Sequence, residues 1–282
     1  MTPPAGTESS PVPPLLTFPV ESPLVLILSA VAAAIGAGMN AIAGGGTLVT
    51  FPALVALGVP PIVANATSTV ALWPGSMSSL WGYRAELVGA RRWAIAFAIP
   101  SLLGGILGAV LLLRTPERSF AAIVPWLILG ATTLFIAQQP MTAALKSWGM
   151  KHPPLHGEDG KLLPPSVAFL IYQFFISIYG GYFGAGVGIL MLAALGLMGL
   201  TNIHQMNGLK NWGAGVMNLV AVIVFAVSGI VNWRIALAMG VGATAGGIGG
   251  SLLAQRIGKI WVRRVVISIG LISGVVMLFK LR

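Results

Sequence analysis

Long apolar runs separated by short polar stretches set the pattern of this chain. They lie at 24–43, 47–57, 62–83, 93–113 and 120–137, and again at 166–184, 187–198, 203–227, 235–254 and 264–281. Most approach or exceed the roughly 20 residues a helix needs to cross a bilayer, which predicts an all-α polytopic membrane protein. Between the two sets, residues 138–163 carry Lys146, Lys151, His152, His156, Glu158, Asp159 and Lys161, with Pro153 and Pro154 blocking a helix, and read as a polar cytoplasmic linker. Residues 1–23 hold Pro3, Pro4, Pro11, Pro13 and Pro14 and no Lys or Arg, and read as a disordered tail rather than a signal peptide.

The second set repeats the first. Adding 141 (199 − 58) carries Gly45 to Gly186, Leu54 to Leu195, Gly58 to Gly199 and Ile62 to Ile203 without a gap, so 24–137 and 164–282 read as two transmembrane repeats. In each, the second element is short. Residues 47–57 make about 16 Å of helix, roughly half the hydrocarbon thickness, so one end lies inside the membrane. Glycines and prolines bound both: Gly44, Gly45, Gly46, Gly58, Pro60 and Pro61 in the first, Gly184, Gly186, Gly188, Gly196 and Gly199 in the second. The expected architecture is about eight full spans plus two short broken or re-entrant helices, and discontinuous helices in matching positions mark transporter binding sites.

The basic loops orient the repeats. Arg84, Arg91 and Arg92 follow the third element of the first set, whereas Arg256, Lys259, Arg263 and Arg264 follow the fourth of the second. If both clusters are cytoplasmic, the repeats are inverted, the N-terminus lies outside and the linker inside. Lys280 and Arg282 then fall outside, against the rule.

Composition changes the picture in one respect. The chain has 282 residues, 56% hydrophobic and 8% charged, against about 25% charged in soluble domains, which excludes a soluble enzyme. Its net charge of +10 sits in short loops, where it orients the protein rather than meeting nucleic acid. With no cysteine there is no thiolate metal site or thiol nucleophile.

Glu8, Glu21, Glu86, Glu117, Glu158 and Asp159, the six carboxylates, all fall in tails or loops, so the spans hold no acid. Carriers of Na⁺ or organic cations, and proton pumps, normally need one there, which points to an anionic or neutral substrate. The one charge deep in an apolar element is Lys210, about 12 Å from the helix start at Asn202, beside Asn207 and Asn211. It reads as a substrate counter-charge. The same lysine can instead snorkel, or rest on the carbonyl end of a broken helix. By the 141 shift it pairs with Thr69, and Asn65, Thr67, Ser68 and Thr69 form a polar cluster expected at the same depth. Such hydroxyls also bond their own backbone. Backbone N–H groups freed at Thr47 and Leu48, and at Val187 to Ile189, would favour negative charge at two helix N-termini, which makes these breaks, with Gly45, Gly46, Gly186 and Gly188, candidate substrate contacts. His204 is a candidate for carrying a coupling proton. No metal and no cofactor are expected, and no nucleophile and base pair up inside the membrane, so the chain does not read as an enzyme.

The stretch NAIAGGGTLVTFPALVAL (40–57), followed by GVPPIVANATSTVA, resembles the first-half signature of the sulfite exporter TauE/SafE family, also called the toluene sulfonate uptake permease family. GGYFGAGVGIL (180–190), NGLKNWGAGVMNLVAVIVFAVSGIVNW (207–233) and GGIGGSLLAQR (246–256) resemble its second repeat. The resemblance implies a secondary transporter that moves sulfite or short organosulfonates such as sulfoacetate across the inner membrane, with Lys210 and the two glycine loops at the site. Tyr182 and Phe183 depart from a first-half-like pattern and are expected to shape the pocket for an organic tail. A passive anion channel or uniporter shares the same charge pattern. The expected partners are a small anion and the lipid bilayer, with no nucleic acid; exposed small-residue ladders permit a homodimer, while Gly104 with Gly108 and the ladder Gly242, Gly246 and Gly250 serve close helix packing.

Overall fold

The structure is a computed structural model and describes residues 22–42, 45–88, 90–147, 164–200, 202–253 and 259–280. Among these residues there are helices and no strands: α1 (Pro23–Ile42), α2 (Thr47–Ala56), α3 (Pro61–Gly82), α4 (Arg84–Val88), α5 (Arg91–Arg114), α6 (Glu117–Ser147), α7 (Val167–Tyr182), α8 (Val187–Leu197), α9 (Ile203–Ser228), α10 (Trp233–Leu253) and α11 (Lys259–Lys280). Among the described residues, three helices are long and apolar enough to cross a membrane, within Pro23–Ala41, Arg91–Arg114 and Ile203–Ser228. Their outward faces are apolar: Leu24, Ile27, Leu28, Val31 and Ile35 on α1 recur at helical spacing and are exposed, as a surface facing lipid tails requires.

Both short helices end in the same way. Gly58 and Gly199 each have φ 91°, a conformation open to glycine, and each follows a helix of ten or eleven residues. The N–H of Gly58 bonds Val55 O and that of Val59 bonds Leu54 O; Gly199 to Gly196 O and Leu200 to Leu195 O repeat this 141 positions later. Pro61 then opens α3 at its first turn, where its missing N–H costs nothing.

Glycine contacts fix the packing and direction of the long helices. Gly242, Gly246 and Gly250 of α10 lie against Ala30, Ala34 and Gly38 of α1, in ascending order on both, so the two run parallel. Gly104 and Gly108 of α5 lie against Phe174 and Ile178 of α7 in the same sense. A side chain at these positions would strike backbone, which is how small residues let membrane helices approach. The α10 ladder is therefore occupied by α1 of the same chain. Ala37 meets Gly75 and Asn40 meets Ser76, and Gly75 and Ser79 of α3 meet Ala243 and Gly247, so α1, α3 and α10 share one direction. On the other side, Ala94 meets Trp212, Gly105 meets Met217 and Gly180 meets Met217, so α5, α7 and α9 share one direction. Trp73 bonds Gly215 O while Tyr83 meets Gly208, which sets α3 antiparallel to α9.

Three expectations need correction. The helix expected to end at Ala137 continues as α6 to Ser147, and α4 is a short helix where a basic loop was expected. Phe183, expected to shape a pocket with Tyr182, lies in the core instead. Phe183 is buried and packs edge-on against Phe51 at 5.2 Å and Phe120 at 6.1 Å, with Tyr182 5.7 Å from Phe120, so they close the core around the α7 end. The tail at 1–21, Gly44 and the linker from 148 to 163 lie outside the described residues.

Candidate functional site

The N-cap of α9 is Asn202, whose Oδ1 accepts from His204 N and Gln205 N. Two turns on, Asn207, Lys210 and Asn211 share one face by their i, i+3, i+4 spacing. Lys210 is 1% exposed, and its Nζ donates to Asn40 O at 3.1 Å. Asn40 lies in the last turn of α1, where carbonyls lack helical partners and the helix dipole is negative. This is the carbonyl-end arrangement that the lysine's position leaves open, and it occupies one of three ammonium protons. No carboxylate pairs with the ammonium among the described residues. The Asn40 amide in turn donates to Ser76 Oγ at 3.4 Å. Asn207 Oδ1 and Asn211 Nδ2 are buried without a partner.

The first-half cluster is arranged differently from expectation. Asn65, 1% exposed, donates through Nδ2 to Tyr182 O at 2.9 Å, the carbonyl end of α7, and its Oδ1 has no partner. Thr67 Oγ1 accepts from Asn232 N at 3.0 Å, just before α10. Ser68 shares a 2.6 Å hydrogen bond with Thr50 of α2, and Thr69 donates to Asn65 O within its own helix. The three hydroxyls are thus engaged inside the protein. Nor do they stand at the depth of Lys210: because α3 and α9 are antiparallel, Lys210 is level with the end of α3, roughly 15 Å along the axis from Thr69 at 1.5 Å per residue. Antiparallel packing puts equal helix positions at opposite depths.

At the breaks, Gly45, Gly46, Gly186 and Gly188 are buried and Thr47 is half-buried. Gly186 opens α8 with φ 73°, and Gly46 packs against Gly36 O. The N–H groups expected to be free are partly engaged: Leu48 bonds Gly45 O, Val187 bonds Gly184 O and Ile189 bonds Gly186 O, each closing a tight turn at the helix start. His204 is exposed on the first turn of α9, its ring 6.4 Å from that of Tyr83, at the rim rather than in the interior.

Residue patterns missed two features. Asn40 and Ser76 complete the surroundings of Lys210, and the signal was a polar residue near the end of an apolar run. A second buried group joins Gln173 Nε2 to Ser101 Oγ at 3.0 Å and Ser177 Oγ at 3.2 Å, bridging α7 and α5. Among the described residues no three His, Asp or Glu side chains gather as a metal site would require.

The chain belongs to the family described as Sulfite exporter TauE/SafE, which it matches over residues 28–277. It is similar to a "Probable membrane transporter protein" of Haemophilus influenzae, 30% identical over 233 residues that cover 81% of this chain and 85% of the relative. A "Probable membrane transporter protein ORF9" of Sinorhizobium sp is 29% identical, covering 86% and 88%. The "Probable membrane transporter protein YfcA" of Escherichia coli K12 is 26% identical, covering 92% and 91%. No solved structure matches.

Proposed function

We propose that this TauE/SafE family member is a secondary transporter that moves small sulfur-containing anions, sulfite or short organosulfonates, across the inner membrane. The observation that carries the reading is Lys210: a buried cation with no carboxylate partner among the described residues, flanked by two amides with unpartnered atoms. A buried charge is tolerated when something compensates it, and a single carbonyl compensates an ammonium only in part. An anion supplies the rest. The sulfur chemistry rests on the family's description and on no residue of the site.

Alternating access by two inverted repeats is the mechanism this reading carries. It is supported by the 141-residue correspondence of the two broken helices and by the opposed directions of α3 and α9. Lys210, Asn207 and Asn211 would hold the anion. Asn65, Thr67, Ser68 and Thr69, with the turns at Gly45, Gly46 and Thr47 and at Gly186 and Gly188, would hold the opposite half of the path, and His204 would stand at the inner rim.

The test is radiolabelled sulfite or sulfoacetate flux in proteoliposomes. A carrier shows saturation and counterflow in wild type and loses both in Lys210→Ala. Flux that does not saturate, without counterflow, indicates a channel, and equal activity in Lys210→Ala removes the site assignment.

A further inference from the structure

Away from its contact with α1, helix α10 presents a second face. Arg234, Leu237, Val241, Ala245 and Ile248 recur at i, i+3, i+7, i+11 and i+14 and form one exposed stripe. Below Arg234 this stripe walls a cavity of about 710 Å³, closed from the other side by Ala71 and Trp73 of α3 and Val222 of α9. Two polar groups of the wall are turned to the protein: Trp73 Nε1 donates to Gly215 O at 3.1 Å and Thr244 Oγ1 to Gly240 O at 2.8 Å. Below the mouth the wall is then hydrocarbon, and it offers neither water nor a small anion a partner.

Because α10 lies along α1, which is long enough to cross a membrane, the exposed stripe faces the bilayer and the cavity opens sideways among lipid tails. From Trp233 to Ile248 it runs about 22 Å at 1.5 Å per residue, from one membrane boundary past the middle of a hydrocarbon core about 30 Å thick. At the mouth the chemistry changes. Trp233 is exposed there, a residue type that sits at headgroup level, and Arg234 tops the stripe. Arg234 already holds a contact, but a guanidinium carries more donors than one contact uses. A cation at the boundary end of an apolar groove complements an amphiphile whose negative group lies at that end. We infer that the cavity between α3, α9 and α10 holds one acyl chain of a membrane phospholipid whose phosphate meets Arg234. Gly240 marks the path of the chain: it lines the cavity, and a Cβ there would meet nothing within 4 Å.

The experiment is native mass spectrometry of the delipidated, detergent-purified full chain with dioleoyl phosphatidylglycerol and with dioleoylglycerol, which has the chains without the phosphate. Wild type should retain one phosphatidylglycerol about tenfold more tightly than the diacylglycerol, and Arg234→Gln should remove that difference. Gly240→Phe puts a ring into the open space and should weaken phosphatidylglycerol about tenfold. Gly249→Phe, on the same helix with open space outside the cavity, should bind as wild type does. Thermal unfolding without lipid checks that both variants fold. On wild type, phosphatidylglycerol bearing a diazirine in its chain should crosslink within 70–74 and 236–245, a readout that stands even where Gly240→Phe does not fold. Equal binding by the two glycine variants, crosslinks outside these segments, or equal retention of the two lipids by wild type overturns the assignment. So does a loss of dimers in Gly240→Phe with lipid binding unchanged, which gives the cavity to a second copy of the chain.

Discussion

Asn65 and Lys210 meet the same need from opposite halves of the chain. Each side chain, on α3 or α9, donates to a carbonyl in the last turn of the other half's first helix, Tyr182 O of α7 and Asn40 O of α1 respectively. The positions are not equivalent, since Asn65 shifts to Met206 (65 + 141 = 206), one turn before Lys210. The task is conserved between the halves while the residue differs, and only one half carries the charge. Removing Asn65 leaves a helix-end carbonyl without its donor, so Asn65→Ala should lower stability by about 1–3 kcal/mol, read as a fall in Tm of the purified protein. An unchanged Tm would mean the Tyr182 carbonyl finds another donor. Lys210 was legible in the sequence because it is a lone charge in an apolar run. The tasks of Thr67 and Asn65 were not, because their partners Asn232 and Tyr182 stand 165 and 117 positions away.

Helices α1 and α10 approach so closely that the glycines of one lie on the carbonyls of the other. Gly246 sits against Ala34 O, whereas Gly249 on the same helix has open space where a Cβ would go. Gly246→Ala should push the helices apart and lower Tm, and Gly249→Ala should leave Tm unchanged or raised by up to the roughly 1 kcal/mol helix preference of alanine. Thermal unfolding of the pair in one detergent checks this, and equal effects would deny the close packing. At the first residue of α6, Glu117 accepts from Ile62 N at 3.1 Å and so closes the start of α3. Burial pushes its carboxyl above the ordinary 4.5, more than that hydrogen bond lowers it. The fold therefore favours the protonated form, and this contribution is full below about pH 4.5 and lost as pH rises through the folded value. Tm of wild type should fall over that window relative to Glu117→Gln, and parallel profiles would refute it. The short helices α2 and α8 were readable from their flanking glycines and prolines. The end of α6 was not, because polar residues beyond Ala137 break the apolar pattern without breaking the helix.

The long helices divide by direction: α1, α3 and α10 one way, α5, α7 and α9 the other. Each group mixes elements from both sequence repeats, so α10 of the second packs on α1 of the first, and α5 of the first on α7 of the second. Neither half then buries its glycine face alone, which couples the two into one bundle. The 141-residue correspondence of the short helices was legible, but this exchange was invisible in the sequence, since apolar periodicity says which face is buried and not against what. Opposed directions have a consequence that can be measured directly. Ser22, at the start of α1, and Pro164, before α7, should face opposite sides of the membrane, and the chain has no native cysteine to interfere. With the N-terminus outside, as the basic loops imply, an impermeant maleimide should label Ser22→Cys in intact spheroplasts and Pro164→Cys only after lysis. The reverse order would invert the orientation and keep the opposed repeats. Labelling of both from one side would break the relation between α1 and α7, and alternating access by inverted halves would fall with it.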